Sequence, residues 1–253
     1  MSKSKFIWLN KKIYPYLQES SIVFFAPDKM KYKFGVAGFK KKFEYTKLIK
    51  KAEIEVFGDT RYYIWTNYKY VGMGPVPSGG DALMPFQYSS TFTVEVDCTY
   101  VDFYAQVQLT NTAEYDNSCG KGCFMLSAKL FFEDGSVEQV YTDSSWLARQ
   151  EKEYISPRYM DYTMKPDLWE NAVEVESVWN VVPSEIKNLN REIVSSQKFL
   201  IEKKSKKEFI IELDRIYSAY PLLSIEAFGE YEIEFISFEL AGVMERKHMI
   251  KGN

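Results

Sequence analysis

An all-β fold, an antiparallel β-sandwich of jelly-roll type with a short second β unit at the C-terminus, is predicted by three observations. Aromatic residues make up 17% of the chain, with 19 Tyr and 18 Phe, and aromatic and β-branched side chains suit a pleated, half-buried surface better than a helix. Apolar and polar residues alternate at period two in several separate runs. Turn signals punctuate those runs at the spacing of a sandwich. With 253 residues and 46% hydrophobic content, the chain is long enough to bury a substantial core without staples.

The first strong run is Ala52-Glu53-Ile54-Glu55-Val56-Phe57, with one face for the core and one for solvent. Thr60 to Thr66 follows, then Asn67-Tyr68-Lys69 and Tyr70-Val71-Gly72, which read as a hairpin. Thr91 to Val96 and Val101 to Leu109 alternate again. Phe124 to Phe132 runs into the turn Glu133-Asp134-Gly135-Ser136 and on to Val137 to Tyr141. The loops at 74–81 and 111–122 are expected on the surface. The stretch from Trp146 to Trp169, broken by Pro157 and Pro166, is expected to wrap irregularly around the sandwich.

Residues 1–180 therefore form the sandwich, and 181–253 a linker and partial second β domain. Pro183 to Val194 is read as linker with a turn of helix. Glu208 to Leu213, Leu222 to Ala227 and Tyr231 to Leu240 are read as strands, with Phe228-Gly229-Glu230 turning between the last two. The lysines at 203, 204, 206 and 207 are read as a solvated turn. The stretch after Met244 is expected to be a charged, mobile tail.

Charge and composition exclude several functions. Lys plus Arg total 32 against 35 Asp plus Glu, a net charge of -3, so no general attraction to nucleic acid or anionic lipid is expected. No apolar run approaches the roughly 20 residues that cross a bilayer. Cys98, Cys119 and Cys123 are an odd number behind a start that lacks an apolar leader. A reducing, cytoplasmic setting with free loop thiols is expected. A zinc site would need more ligands than Cys119 and Cys123 supply, and the single histidine, His248, lies in the expected tail. No metal and no cofactor is expected.

The run Phe57-Gly-Asp-Thr-Arg-Tyr-Tyr-Ile-Trp-Thr-Asn-Tyr-Lys-Tyr-Val-Gly-Met-Gly-Pro75 resembles a signature of bacterial α-L-rhamnosidases. Phe6 to Leu9, the turn at Glu133 to Ser136, Thr142 to Trp146 and Trp169 to Ala172 are similar to other parts of the same N-terminal, non-catalytic β region. Ile210 to Asp214, Tyr220 to Glu226, Gly229 to Ile233 and Phe238 to Leu240 are similar to the start of that family's next β domain. Two departures stand out. The family's Asn-Gly turn is Asn67-Tyr68 here, and Tyr is a poor residue for positive φ, so a different turn type is expected. Its Ala-Arg-Ser is Val76-Pro77-Ser78, so a contact made by that arginine does not carry over.

The resemblance implies that hydrolysis belongs to an (α/α)6 barrel, which these residues do not build, and the chain alone is expected not to be an enzyme. Inverting hydrolysis needs two carboxyl groups roughly 6.5–9.5 Å apart. The acidic residues here fall mainly on solvated strand faces. A non-catalytic carbohydrate-associated module with weak saccharide binding, rhamnosides first, is the leading reading. Two alternatives are part of a rhamnosidase whose catalytic module lies on another chain or was removed, and a structural or protein-interaction module.

Period two sets Arg61, Tyr63, Trp65 and Asn67 on one face of their strand and Tyr62, Ile64 and Thr66 on the other. If the second face is core, the first can serve as a sugar platform, with Arg61 or Asn67 as polar contact. Packing on both faces is the competing reading. Trp146 and Trp169 carry the same choice between platform and core.

Overall fold

The computed structural model describes residues 4–10, 34–75, 86–110, 122–156, 159–177, 179–185, 199–203, 208–213, 226, 229–237 and 246–252. The chain divides into two compact units, Met1–Asn188 and Leu189–Asn253. Every regular element among the described residues is a strand.

The first unit contains β1 (Ile7–Trp8), β2 (Phe34–Asp59), β3 (Arg61–Thr66), β4 (Lys69–Gly74), β5 (Phe86–Thr110), β6 (Cys123–Phe132), β7 (Val137–Tyr141), β8 (Leu147–Gln150), β9 (Tyr154–Ser156), β10 (Tyr159–Asp161), β11 (Glu170–Asn171), β12 (Val173–Glu174) and β13 (Asn180–Pro183). Two long strands organise it. β2 pairs with β5 along nearly its whole length, but the register slips between Glu44 and Ile49, so each strand passes from one layer into the other. The front layer holds β4, β3, the second half of β5, the first half of β2, then β8 and β11. The back layer holds the first half of β5, the second half of β2, then β6 with β7 and β1 on its far side and β12 beyond β1. β13 lies parallel to the start of β5, one exception to the expected antiparallel order.

Alternation explains the core. Phe39, Tyr62, Ile64, Phe103, Ala105, Val107 and Leu109 point inward from the front layer. Ile49, Ala52, Ile54, Val56, Phe124, Leu126, Ala128 and Leu130 meet them from the back. Each fully buried large side chain contributes about 1.5–3 kcal/mol. Trp146 is a core residue, completely buried.

Several expectations change. β2 begins at Phe34, well ahead of Ala52. Lys40, Lys41 and Lys42 hide the alternation there, because Lys41 lies on the inward period and its ammonium reaches out to Ser145 O and Oγ, both at 3.1 Å. The hairpin between β3 and β4 keeps positive φ at both Asn67 (48°) and Tyr68 (63°), the signs of a type I′ turn, where another type was expected. Asn67 explains this. Its Oδ1 accepts from the Asp102 backbone N–H at 2.8 Å and its Nδ2 donates to Tyr100 O, clamping the turn to β5. Tyr68, 88% exposed, follows into a conformation that favours glycine. Tyr68→Gly is accordingly expected to raise the unfolding free energy by about 1 kcal/mol, read as a higher urea midpoint with an unchanged m-value.

Cys123 is buried on β6, with Sγ 3.6 Å from Ser177 Oγ, and so is not a loop thiol. Cys119 and most of the two expected loops lie outside the described residues. The stretch after Trp146 supplies β8 to β11 and crosses the front layer, and the Glu151 N–H donates to Val36 O.

The second unit contains β14 (Phe199–Lys203) paired with β15 (Phe209–Leu213), and β16 (Tyr231–Ser237) paired with β17 (Arg246–Gly252). β14 was not expected. Nor was β17: the residues read as a tail form a strand, with His248 opposite Phe235. Alternating partners on β16, Glu234 with Lys247 at 3.2 Å among them, account for a strand in so charged a segment. Residues 186–194, 204–207 and most of 222–227, where a helical turn, a lysine turn and a strand were expected, lie outside the described residues.

Candidate functional site: an aromatic face on the front layer

With Tyr62, Ile64 and Thr66 buried in the core, Arg61, Tyr63, Trp65 and Asn67 occupy the outward side of the front layer, all half-buried. Register aligns their neighbours in two rows. One row runs Tyr70, Trp65, Tyr104, Lys40 across β4, β3, β5 and β2. The next runs Met73, Tyr63, Gln106, Gly38, Arg149 and reaches β8.

The first row is a strip of touching aromatic rings. Trp65 lies 5.4 Å from Tyr104, 5.8 Å from Tyr70 and 6.2 Å from Tyr63, centroid to centroid. Tyr104 meets the edge of Trp169 at 6.4 Å. Trp169 in turn carries two cations, Lys40 Nζ and the Arg149 guanidinium, each 4.3 Å from its ring centroid.

The second row is hollow at its centre because residue 38 is glycine. A Cβ there would overlap Glu151 Oε1 and crowd the Trp169 ring. The Glu151 carboxylate fills that hollow and is fully buried. Its Oε1 accepts from Tyr104 Oη and from Arg149 Nε, both at 3.0 Å, while Oε2 stands 3.0 Å from Arg149 Nη2 as an ion pair outside hydrogen-bond geometry. Gln106 Nε2 donates to Tyr104 Oη at 2.9 Å, and Tyr154 Oη donates to Gln106 Oε1 at 3.3 Å.

Burial dominates the proton affinities here. It raises the Tyr104 phenol, helped by the charge and hydrogen bond of Glu151, and pushes Tyr154 up to about 12. Burial also raises Glu153, whose nearby partner Glu151 adds like-charge repulsion. Glu153 Oε2 is buried without a hydrogen-bond partner among the described residues. The face thus offers ring surface on one side and a fixed polar network on the other.

Of the four residues singled out in the sequence, Tyr63 and Trp65 sit in this strip. Asn67 commits its side chain to the turn, and Arg61 lies one row further along, opposite Gln108. Tyr104, Gln106, Arg149, Glu151 and Tyr154 were not anticipated. Alternation along Val101 to Leu109 could have set Tyr104 and Gln106 outward, but only the register puts them beside Trp65. Among the described residues no group of three or more His, Cys, Asp or Glu is placed to hold a metal ion.

No protein-family model and no curated protein matches the sequence. Solved structures do. An α-L-rhamnosidase from Dictyoglumus thermophilum superposes with a TM-score of 0.54 at 16% identity, over 85% of this chain and 26% of that one. A family GH78 rhamnosidase from Bacillus sp. GL1 gives 0.48 at 18% identity, over 72% and 20%. A lectin from Pleurotus ostreatus in complex with GalNAc gives 0.44 at 21% identity, over 68% and 42%. The chain spans well under two thirds of each. The first of these likenesses shows a shared β fold.

Proposed function

We propose that the chain is a non-catalytic, saccharide-binding β-sandwich module of the kind that forms the N-terminal region of bacterial α-L-rhamnosidases. The observation that carries this reading is the half-exposed strip Tyr63, Trp65, Tyr104 beside the polar network of Gln106, Arg149 and Tyr154. Ring faces supply contact area against the C–H faces of a sugar, and a few fixed polar groups supply orientation. An open sheet face desolvates a sugar incompletely, so affinity should be modest; a millimolar dissociation constant corresponds to about 4 kcal/mol. The signature-like run from Phe57 to Pro75 makes L-rhamnose and its glycosides the first ligands to test. It also supports a second reading, in which the module accompanies a catalytic barrel carried elsewhere.

Isothermal titration of methyl α-L-rhamnoside is expected to show millimolar binding to the wild type and at least a tenfold loss in Trp65→Ala, with aryl α-L-rhamnosides left intact by the protein alone. Equal affinity in both proteins would remove Trp65 from the site. Turnover abolished by one acidic substitution would overturn the non-catalytic reading.

A further inference from the structure

Hydrogen-bond direction in the network on the front layer is set by chemistry. A carboxylate has acceptors only, so Tyr104 must give its proton to Glu151 Oε1, and Arg149 Nε does the same. Tyr104 Oη then has only lone pairs to offer Gln106. This forces the Gln106 amide to turn Nε2 toward Tyr104 and Oε1 toward Tyr154, which donates to it. All three hydrogen bonds of the chain Tyr154, Gln106, Tyr104, Glu151 run toward Glu151. At the outer end two capacities remain without a partner among the described residues: the lone pairs of Tyr154 Oη and the second N–H of Gln106 Nε2.

We propose that Glu151 acts as a positioning residue that fixes this polarity, and that the site takes a pair of adjacent hydroxyls on a saccharide ring, one donating to Tyr154 Oη and one accepting from Gln106 Nε2. This rests on the saccharide-binding reading and narrows it to ligands with a vicinal diol. Glu151 need not touch the ligand. Because it is buried over Gly38, it reaches Tyr154 and the Gln106 amide through Tyr104. A Gln at position 151 has nearly the same shape but can donate as well as accept, so it no longer holds the chain in one direction.

The test combines ligand and protein changes. Methyl α-L-rhamnoside and its singly deoxygenated ring analogues are titrated against wild type, Tyr154→Phe and Glu151→Gln, following the Gln106 side-chain amide and the Trp65 indole by NMR. In the wild type the intact glycoside should shift both signals. Deleting the hydroxyl that meets Tyr154, or making Tyr154→Phe, should each weaken binding roughly three- to tenfold, and both together little more than either, because they remove one interaction. Glu151→Gln should weaken the intact glycoside most, and the analogue that lacks the Tyr154-facing hydroxyl less, because that analogue keeps only its contact to Gln106. Shifts at Trp65 without Gln106, or ligand and protein deletions that add independently, would overturn the diol site and leave the saccharide reading standing. Should no saccharide move either signal, both fall. The deoxy series on the wild type decides the matter even if a variant fails to fold.

Discussion

Trp146→Ala is expected to lower the unfolding free energy by about 3–5 kcal/mol, the usual cost of removing a buried aromatic. Trp146 has no exposed surface and stacks on Phe103 at 6.2 Å while meeting Phe124 and Phe43 edge-on at 5.8 and 6.5 Å. Phe103 and Phe43 belong to the front half of the sandwich and Phe124 to β6 of the back layer, so this one side chain joins the layers. Its Nε1 also donates to Tyr141 O at 3.0 Å. Truncation leaves a cavity and an unmatched carbonyl together, which puts the loss toward the upper end. Trp146→Phe keeps part of the ring contact and should lose distinctly less. Urea unfolding followed by far-UV circular dichroism measures both. A loss below 1 kcal/mol for Trp146→Ala would mean that the ring does not occupy the core.

Glu151→Ala is expected to cost about 3–5 kcal/mol as well, by a different route. Removing one partner of a buried ion pair leaves the other uncompensated, here the Arg149 guanidinium and the Tyr104 hydroxyl. Gly38→Ala should push the same way with a smaller effect, since its Cβ displaces the carboxylate from the hollow without removing it. Both should alter Trp169 fluorescence, because Arg149 stacks on that ring. Glu151→Gln keeps the shape but gives up the charge opposite Arg149, and should fall between the wild type and Glu151→Ala in stability. If Glu151→Ala and Glu151→Gln are equally stable, the carboxylate is not holding the network.

Much of the sandwich is legible in the sequence, because strands with one wet face announce themselves. Ala52 to Val56, Arg61 to Thr66 and Val101 to Leu109 alternate, and their inward residues are those buried; Phe57, on the face expected to meet solvent, is buried instead in a second cluster with Cys123, Met125 and Trp179. Legibility fails where a side chain escapes its face or where turn geometry is imposed from outside. Lys41 on the inward period hid the start of β2. The hairpin turn is held by Asn67 through contacts to a strand some thirty-five residues away, which local residue preferences at Tyr68 cannot report. His248 looked like part of a tail because β17 draws its support from cross-strand pairs with β16.

The candidate site was half legible for the same reason. Tyr63 and Trp65 are visible as an alternating aromatic pair on one strand. Their partners come from β5, β8 and the crossing segment after it, and only the register between distant strands brings Tyr104, Gln106, Arg149 and Glu151 beside them. Glycine at 38 carries no signal of its own until Glu151 is seen above it.

Chemical-shift mapping of the full chain during titration with methyl α-L-rhamnoside tests the central claim most directly. Saturable shifts confined to the front face, at Tyr63, Trp65, Tyr104, Gln106 and Trp169, are the expected result. Shifts that map to the back layer, or none at all at ligand concentrations well above the millimolar range, would contradict it.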